Sequence, residues 1–399
     1  MQGYSYTPKS EIEARIQGLQ SALSTAAMAA AVVVHHTNLF YYTGTSQNGF
    51  LYVPASGMPR LMIRKSLERA RRESPLEDIV ALGSVREIPG LIREAGGEIQ
   101  GPLGFELDVI PYNTVQFYKK IFDAAEVVDA SGLMRRQRCI KSPFEIERLS
   151  HACAVLDGAF EAVPAMLREG MTEIELASLF EALLRRGGYG GNVKMRSFNQ
   201  DFFLGTLVSG GSGAAVTYFD GPVGGQGLTP ANNPHGAGWK PIARGEIVFI
   251  DYSCVVDGYT ADESRMFSLG PLPDILVRAH RAALEIQADI VAMARPGVTA
   301  GAVYECALAR AEQQGLADHF MGTGEGRVRF VGHGVGLELD ELPVFAQGVE
   351  TSLSPGMSFA IEPKFVFPEG AVGIENTFVM EAGGIRPLTR APEEIIYVR

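Results

Sequence analysis

At 399 residues the chain is longer than one ordinary hydrophobic core organises, so two domains are expected. Its 46% hydrophobic and 20% charged residues are those of a soluble globular protein, and a net charge of −11 with no basic run argues against a nucleic-acid surface. Cys139, Cys153, Cys254 and Cys306 show no short metal-ligand spacing and fit reduced thiols, Met1 to Pro8 lacks a basic-then-apolar leader, and no stretch approaches 18 uninterrupted apolar residues. A cytoplasmic protein with no nucleic-acid or membrane partner is therefore expected.

Residues 11–25 carry Ile12, Ile16, Leu19 and Leu23 at helical spacing. Short strands are expected at 29–34, 50–53, 61–63, 79–82 and 102–105, with helical stretches between them. That alternation predicts an α/β domain. The dipeptide His35-His36 has no ligand spacing around it and reads as an ordinary loop feature. Near Met134 to Ser142 the composition turns basic, and Ser142, Pro143 and Glu145 together form the start signal of a new helix. The domains are placed at 1–138 and 139–399.

The second domain contains an internal repeat. Leu167-Arg168-Glu169-Gly170-Met171-Thr172 lies between two helical segments, the later one Glu173 to Arg186. Ala294-Arg295-Pro296-Gly297-Val298-Thr299 recurs 127 residues on, before a helix from Ala302 to Gln314. Within the first half, Ser209-Gly210-Gly211-Ser212-Gly213-Ala214 lacks the Lys-Ser/Thr ending of a phosphate-binding loop and reads as structural. Nearby Tyr218 reads as pocket wall and is a candidate substrate contact.

Ile247 to Asp262 then reads as a hairpin carrying Asp251 and Asp262. A turn at Val256-Asp257 would set the two acids directly opposite, and one at Asp257-Gly258 would make them diagonal neighbours; both registers keep them on one face. Like charges on neighbouring strands need a cation between them. The repeat offset predicts a second hairpin, and residues 357–367 and 371–380 supply it, with Glu362 and Glu375 as its acids. His333 stands between Gly332 and Gly334, where the imidazole is unencumbered and is the one nitrogen donor to hand. Four carboxylates and one imidazole suit divalent cations of the Mn, Co, Fe or Zn type. A pair of such ions about 3.5 Å apart, with hydroxide between them, is an arrangement used for hydrolysis.

In order along the chain, Asn38-Leu39-Phe40-Tyr41-Tyr42-Thr43-Gly44, Lys141-Ser142-Pro143-Phe144-Glu145-Ile146 and Arg168-Glu169-Gly170-Met171-Thr172-Glu173 join the five candidate ligands. The chain thereby resembles, nearly end to end, the creatinase/aminopeptidase P/prolidase superfamily of M24 metallopeptidases, the pita-bread fold. The resemblance implies a creatinase-type N-terminal α/β domain followed by a duplicated pita-bread catalytic domain. It implies Asp251 on one metal, Asp262 and Glu375 bridging two, His333 and Glu362 completing the other, and Glu362 moving a proton from the bridging water. It also implies a homodimer, and makes His235, 16 residues before Asp251, a candidate for stabilising the tetrahedral intermediate.

Two positions depart from the family pattern. Asp340 stands where peptidase members carry a second histidine, and an ionised carboxylate donates no hydrogen bond. Gly373 stands where proline-specific members often carry arginine. The function expected is a dinuclear-metal hydrolase of the Xaa-Pro dipeptidase or aminopeptidase kind, with Asp340 and Tyr218 near the substrate. The alternatives are a creatinase-like C–N hydrolase or a dimethylsulfoniopropionate-type lyase on the same fold, and a non-catalytic binding protein that kept it.

Overall fold

The computed structural model describes residues 5–97, 101–123, 125–196, 198–199, 205–231 and 234–398. The chain divides into two compact units, Met1–Arg138 and Cys139–Arg399.

The first unit is built on a mixed six-stranded sheet. Its strands are β1 (Ala30–Val33), β2 (Gly49–Pro54), β3 (Arg60–Ile63), β4 (Ile79–Ala81), β5 (Gly101–Phe105) and β6 (Ala125–Asp129), in spatial order β4-β3-β2-β1-β5-β6. All five expected strands are present. The sixth, Ala-Glu-Val-Val-Asp, is too polar at its ends to stand out in the sequence. The helix Lys9–Thr25 buries Ile12, Ile16, Leu19 and Leu23, as their spacing requires. A second helix, His36–Thr43, ends at Gly44, whose φ of 75° gives the left-handed cap that ordinary side chains resist. Inside this unit Asn38 donates to the buried Glu106 and accepts from Arg138, so the asparagine of that stretch is a structural knot.

In the second unit the duplication is visible in the backbone. Helix Pro143–Met166 starts at Ser142 with a reciprocal capping box to Glu145, and helix Glu173–Arg186 starts at Thr172 with the same device to Glu175. Their counterparts are Asp274–Met293 and Ala300–Gln313, the latter capped by Thr299. Gly170 and Gly297 both adopt positive φ between their paired helices, and Thr172 and Thr299 make isolated bridges to Pro241 and Ser352, outside the strands.

Each helix pair supports strands. The first pair packs on β8 (Ile247–Val256) and β9 (Tyr259–Ser268), which continue outward to β7 (Gly205–Ser209). The second lies against a five-stranded sheet that includes β10 (Phe330–Gly334), β11 (Glu341–Ala346), β12 (Ser358–Ile361), β15 (Asn376–Glu381) and β16 (Gly384–Pro387). Between β12 and β15 in sequence, β13 (Lys364–Phe367) and β14 (Gly370–Gly373) form a separate two-stranded ribbon.

The interruption has a local cause. Pro363 has no N–H to offer a ladder, so the strand stops at Ile361 and resumes at Lys364. The register nevertheless carries through, since Ile361 pairs with Asn376 and Lys364 with Gly373.

Glu173, 1% exposed, ties the loops flanking these strands. It accepts from Ser209 N at 2.7 Å, Ser209 Oγ at 3.0 Å, Ser212 Oγ at 2.6 Å and Gly238 N at 3.1 Å. The glycine-rich turn at 209–214 thus spends its donors on an internal carboxylate, as a structural loop does. Glu173→Ala is expected to cost about 2–4 kcal/mol, because four buried donors lose their acceptor at once. Urea denaturation of the variant against the parent measures it.

Candidate metal centre and active site

The β8–β9 hairpin turns through Asp257 and Gly258, whose φ values of 53° and 90° are those of a two-residue turn with both central residues left-handed. Its ladder pairs Asp251 with Ser264 and Ser253 with Asp262. Of the two registers open in the sequence, the diagonal one is realised. In the other hairpin Glu362 and Glu375 stand at the facing positions where β12–β15 gives way to β13–β14, and an isolated bridge between Ser264 and Glu375 brings the two hairpins together.

Asp262, 5% exposed, is fixed on three sides. Ser253 Oγ donates to its Oδ1 at 3.1 Å, and Thr377 Oγ1 accepts from its backbone N–H and donates to its carbonyl. Glu375 is 1% exposed, and Arg265 holds its carbonyl through Nη1 at 2.8 Å.

His333 is on β10, between two glycines at which a Cβ would lie 2.3 Å from Ala360 O and 2.2 Å from Leu342 O. Only glycine lets those neighbouring strands come so near. The ring Nδ1 lies 3.2 Å from Gly334 O, and a carbonyl only accepts, so Nδ1 carries the hydrogen of that bond. Nε2 then faces Asp262 Oδ2 at 3.6 Å and Glu362 Oε1 at 3.8 Å. In the neutral ring that is a lone pair pointed at carboxylate oxygens, a repulsive arrangement unless a cation lies among them.

One ligand atom each from Asp262, His333 and Glu375 falls within 4.8 Å of the others. Two donors bonded to one metal at about 2.1 Å are separated by roughly 3–3.6 Å; His333 Nε2 and Asp262 Oδ2, 3.6 Å apart, meet that spacing, and Glu375 is close enough to join them on one divalent ion. The electrostatics agree. Burial, reinforced by Glu375 and Asp251, pushes Asp262 well above the usual carboxylate range, and burial also raises Glu375. Asp251 is pushed up to about 7 by burial and by Glu375, against the opposing pull of Lys364. This cluster is short of positive charge.

The residue that sequence reasoning missed is Lys364. It is 2% exposed, and its Nζ donates to Asp251 Oδ2 at 2.6 Å, Glu362 Oε2 at 2.7 Å and Glu375 Oε2 at 2.8 Å. Those three carboxylates, led by Asp251, hold the ammonium in its charged form against the cost of burial. The signal was present, because residues two apart on extended backbone share a face, and Lys364 is two beyond Glu362.

His235, 4% exposed, is clamped by two hydroxyls. Its Nε2 lies 2.8 Å from Thr206 Oγ1 and its Nδ1 2.9 Å from Thr217 Oγ1. Thr206 is the β7 partner of Asp251, which puts the imidazole one strand from the acid cluster. The aromatic ring beside it is Phe219, at 4.9 Å between centroids, while Trp239 is 67% exposed.

Burial drops His235 to about 4. An unfolded chain takes up that proton near 6.5 and the folded one does not, so the stability tied to the neutral ring is whole above 6.5 and is lost as pH falls toward 4, by roughly 3 kcal/mol. His235→Gln is expected to flatten the pH dependence of unfolding free energy in that window, read from urea titrations at stepped pH.

Asp340 Oδ1 accepts from Arg196 N at 3.0 Å, and Arg196 Nη1 lies 3.6 Å from Glu338, so the segment after His333 is tied to residues 194–196. Tyr218 is 53% exposed. Gly373 faces Lys364 across the ribbon, and a Cβ there would lie 2.7 Å from Lys364 Cγ. Pro363 O at 2.6 Å and Lys364 Cα at 2.8 Å would be as close, so the bare position on β14 admits both the facing backbone and the start of the lysine side chain.

Two family models match. Residues 15–140 match the creatinase/prolidase N-terminal domain, and residues 147–382, more than half the chain, match metallopeptidase family M24. Among similar proteins is the Xaa-Pro dipeptidase of Pyrococcus furiosus, 28% identical over 90% of this chain and 92% of the relative. An uncharacterized peptidase of Bacillus subtilis is 25% identical over 96% and 99%. Among solved structures, an Xaa-Pro dipeptidase from Bacillus anthracis superposes with a TM-score of 0.82 at 26% identity, over 97% of this chain and 99% of that one. The prolidase of Pyrococcus horikoshii gives 0.79 at 25%, over 95% and 99%. With the pita-bread architecture in place and the family model spanning both hairpins, the chain belongs to metallopeptidase family M24 and is an enzyme, a hydrolase of the peptidase class.

Proposed function

We propose that the protein is a metal-dependent Xaa-Pro peptidase, a dipeptidase or aminopeptidase, with residues 139–399 as its catalytic domain and 1–138 as its creatinase-type N-terminal domain. The observation that carries the reading is the convergence of Asp262, His333 and Glu375 on one divalent-cation seat, with Glu362 beside it.

Asp262, His333 and Glu375 would hold a divalent ion, which would supply Lewis-acid charge to a scissile carbonyl and its attacking water. Glu362 takes up the proton from that water, its Oε1 turned toward the seat and its Oε2 bonded to Lys364. Asp251 and Glu375 hold the same ammonium and so keep the acidic strands in register. His235, neutral, has both ring nitrogens on the hydroxyls of Thr206 and Thr217, so its single N–H reaches negative charge developing on the carbonyl oxygen only when one of those hydroxyls yields its place.

The test is a screen of Xaa-Pro dipeptides and longer Xaa-Pro peptides with Mn, Co, Fe and Zn. Cleavage confined to the Xaa-Pro bond supports the reading; inertness toward every such peptide with every metal overturns it. His235→Ala is expected to lower kcat about 10–100-fold with KM changed little.

A second reading has Asp340 behind it. A carboxylate held by Arg196 N accepts hydrogen bonds where a histidine would give one. It suits a substrate that offers N–H groups, such as a small amidine, and hence a creatinase-like C–N bond. Asp340→His separates the two, since Xaa-Pro cleavage rises under the second reading and falls under the first.

A cytoplasmic homodimer belongs to the same proposal. It is supported by four cysteines that are all free, three of them buried, and by the creatinase/prolidase N-terminal domain. Among the described residues no helix is long and apolar enough to cross a membrane. Light scattering on the eluted protein reports the mass.

A further inference from the structure

The donor set reads in the sequence as a seat for two cations, and Lys364 changes that count. Its position is built into the strands. Pro363 projects away from Glu362 and Lys364 toward it, by the alternation of extended backbone. Gly373 leaves the lysine stem its space, with Lys364 Cγ only 2.7 Å from where a Cβ would stand. The head lies 5.7 Å from the Phe249 ring centroid and is sealed from water.

An ammonium has three hydrogens, and here each meets a carboxylate at a charge-assisted distance, 2.6, 2.7 and 2.8 Å. The tripod of Asp251, Glu362 and Glu375 thereby already holds a cation belonging to the chain, through one oxygen of each carboxylate. Facing one another beside it are Asp262 Oδ2, His333 Nε2 and Glu362 Oε1, and Glu375 brings a carboxylate oxygen within 4.8 Å of the Asp262 and His333 donors. Asp251 Oδ2 lies on the lysine, and Asp251 is not among the residues whose ligand atoms converge.

Charge points in the same direction. Four carboxylates and one ammonium leave three negative charges, which one divalent ion nearly balances. A second ion would have to share the oxygens of Asp251 with a buried ammonium at contact distance, two like charges without water between them.

We propose that the Lys364 ammonium takes the place of one of the two cations, so that the centre binds a single divalent ion per chain, held by Asp262, His333, Glu362 and Glu375. The inference deepens the metal-dependent reading above and rests on it for the ion's catalytic part; the number bound is measured without any substrate, so failure of one is distinguishable from failure of the other.

The experiment is metal stoichiometry on the full chain. Protein equilibrated with excess Mn²⁺ and passed through a desalting column is assayed by elemental analysis, and its electron paramagnetic resonance spectrum is recorded. The expected result is one Mn²⁺ per chain with an uncoupled signal. Lys364→Ala, which removes the ammonium and opens the tripod, is expected to bind two and to show the exchange-coupled signal of a close pair. Two ions, or none, in the parent protein overturn the proposal even should the variant fail to fold. One ion in folded Lys364→Ala overturns it as well, because the lysine would not then be what excludes the second.

Discussion

Glu362→Gln is expected to lower kcat by about 10²–10⁴-fold, the range lost when a positioned acid–base group is removed. Glutamine keeps the shape of the side chain and can still approach the cation seat, but its amide takes up no proton from water. The fall should therefore sit in kcat with KM moved by less than about threefold, which separates proton transfer from substrate binding. Bound metal should persist, because Asp262, His333 and Glu375 remain. Steady-state kinetics together with elemental analysis on one preparation checks both halves. Retention of more than about a third of the parent kcat would remove Glu362 from the proton path.

The largest stability effect is expected away from the substrate, at Arg265. This side chain is 1% exposed and lies on β9, three positions beyond Asp262. Its guanidinium pairs with the buried Glu263 at 2.7 Å and donates to Glu375 O, Ser264 O, Ala391 O and Asn376 Oδ1. Arg265→Ala leaves the Glu263 carboxylate without its counter-ion in a site that already pushes it well above its ordinary range by burial. Truncating one partner of such a pair costs about 3–5 kcal/mol. Glu375 also loses the clamp on its carbonyl, so metal affinity should fall with stability. Arg265→Lys supplies charge without the planar fork and should recover only part of either. Denaturant titration with and without added Mn²⁺ measures the two together, and a change below about 1 kcal/mol would mean that Glu263 is compensated by other groups.

The sequence made the pairing of acids legible because pairing obeys a period of two. Glu362 and Glu375 face each other as their positions required, and the Asp257-Gly258 dipeptide, with both residues left-handed, settled a register that residue counting left open. The helix start at Ser142 was equally plain, since a cap is a local interaction between residues three apart, whereas the helix expected from Ala302 begins at Ala300, behind its Thr299 cap. The contents of the cluster were harder to read. Lys364 was passed over because only one of its three partners is local: they lie 2, 11 and 113 positions away. The partners of His235 were hidden for the same reason, Thr206 being 29 residues upstream on another strand. Gly373 looked in the sequence like a lost arginine, and only the ribbon shows that its bareness accommodates the lysine across from it.

One consequence of the lysine tripod concerns supply rather than catalysis. An exchangeable ion comes and goes with its concentration in the surroundings, but the Lys364 ammonium is translated with the chain and no chelator extracts it. Protein stripped by a chelating agent should keep Asp251, Glu362 and Glu375 drawn together, with β8 and the β13–β14 ribbon still fastened at that point. Refilling is then a matter of diffusion into a shaped seat rather than of refolding one, and the apo protein should regain its metal within the mixing time.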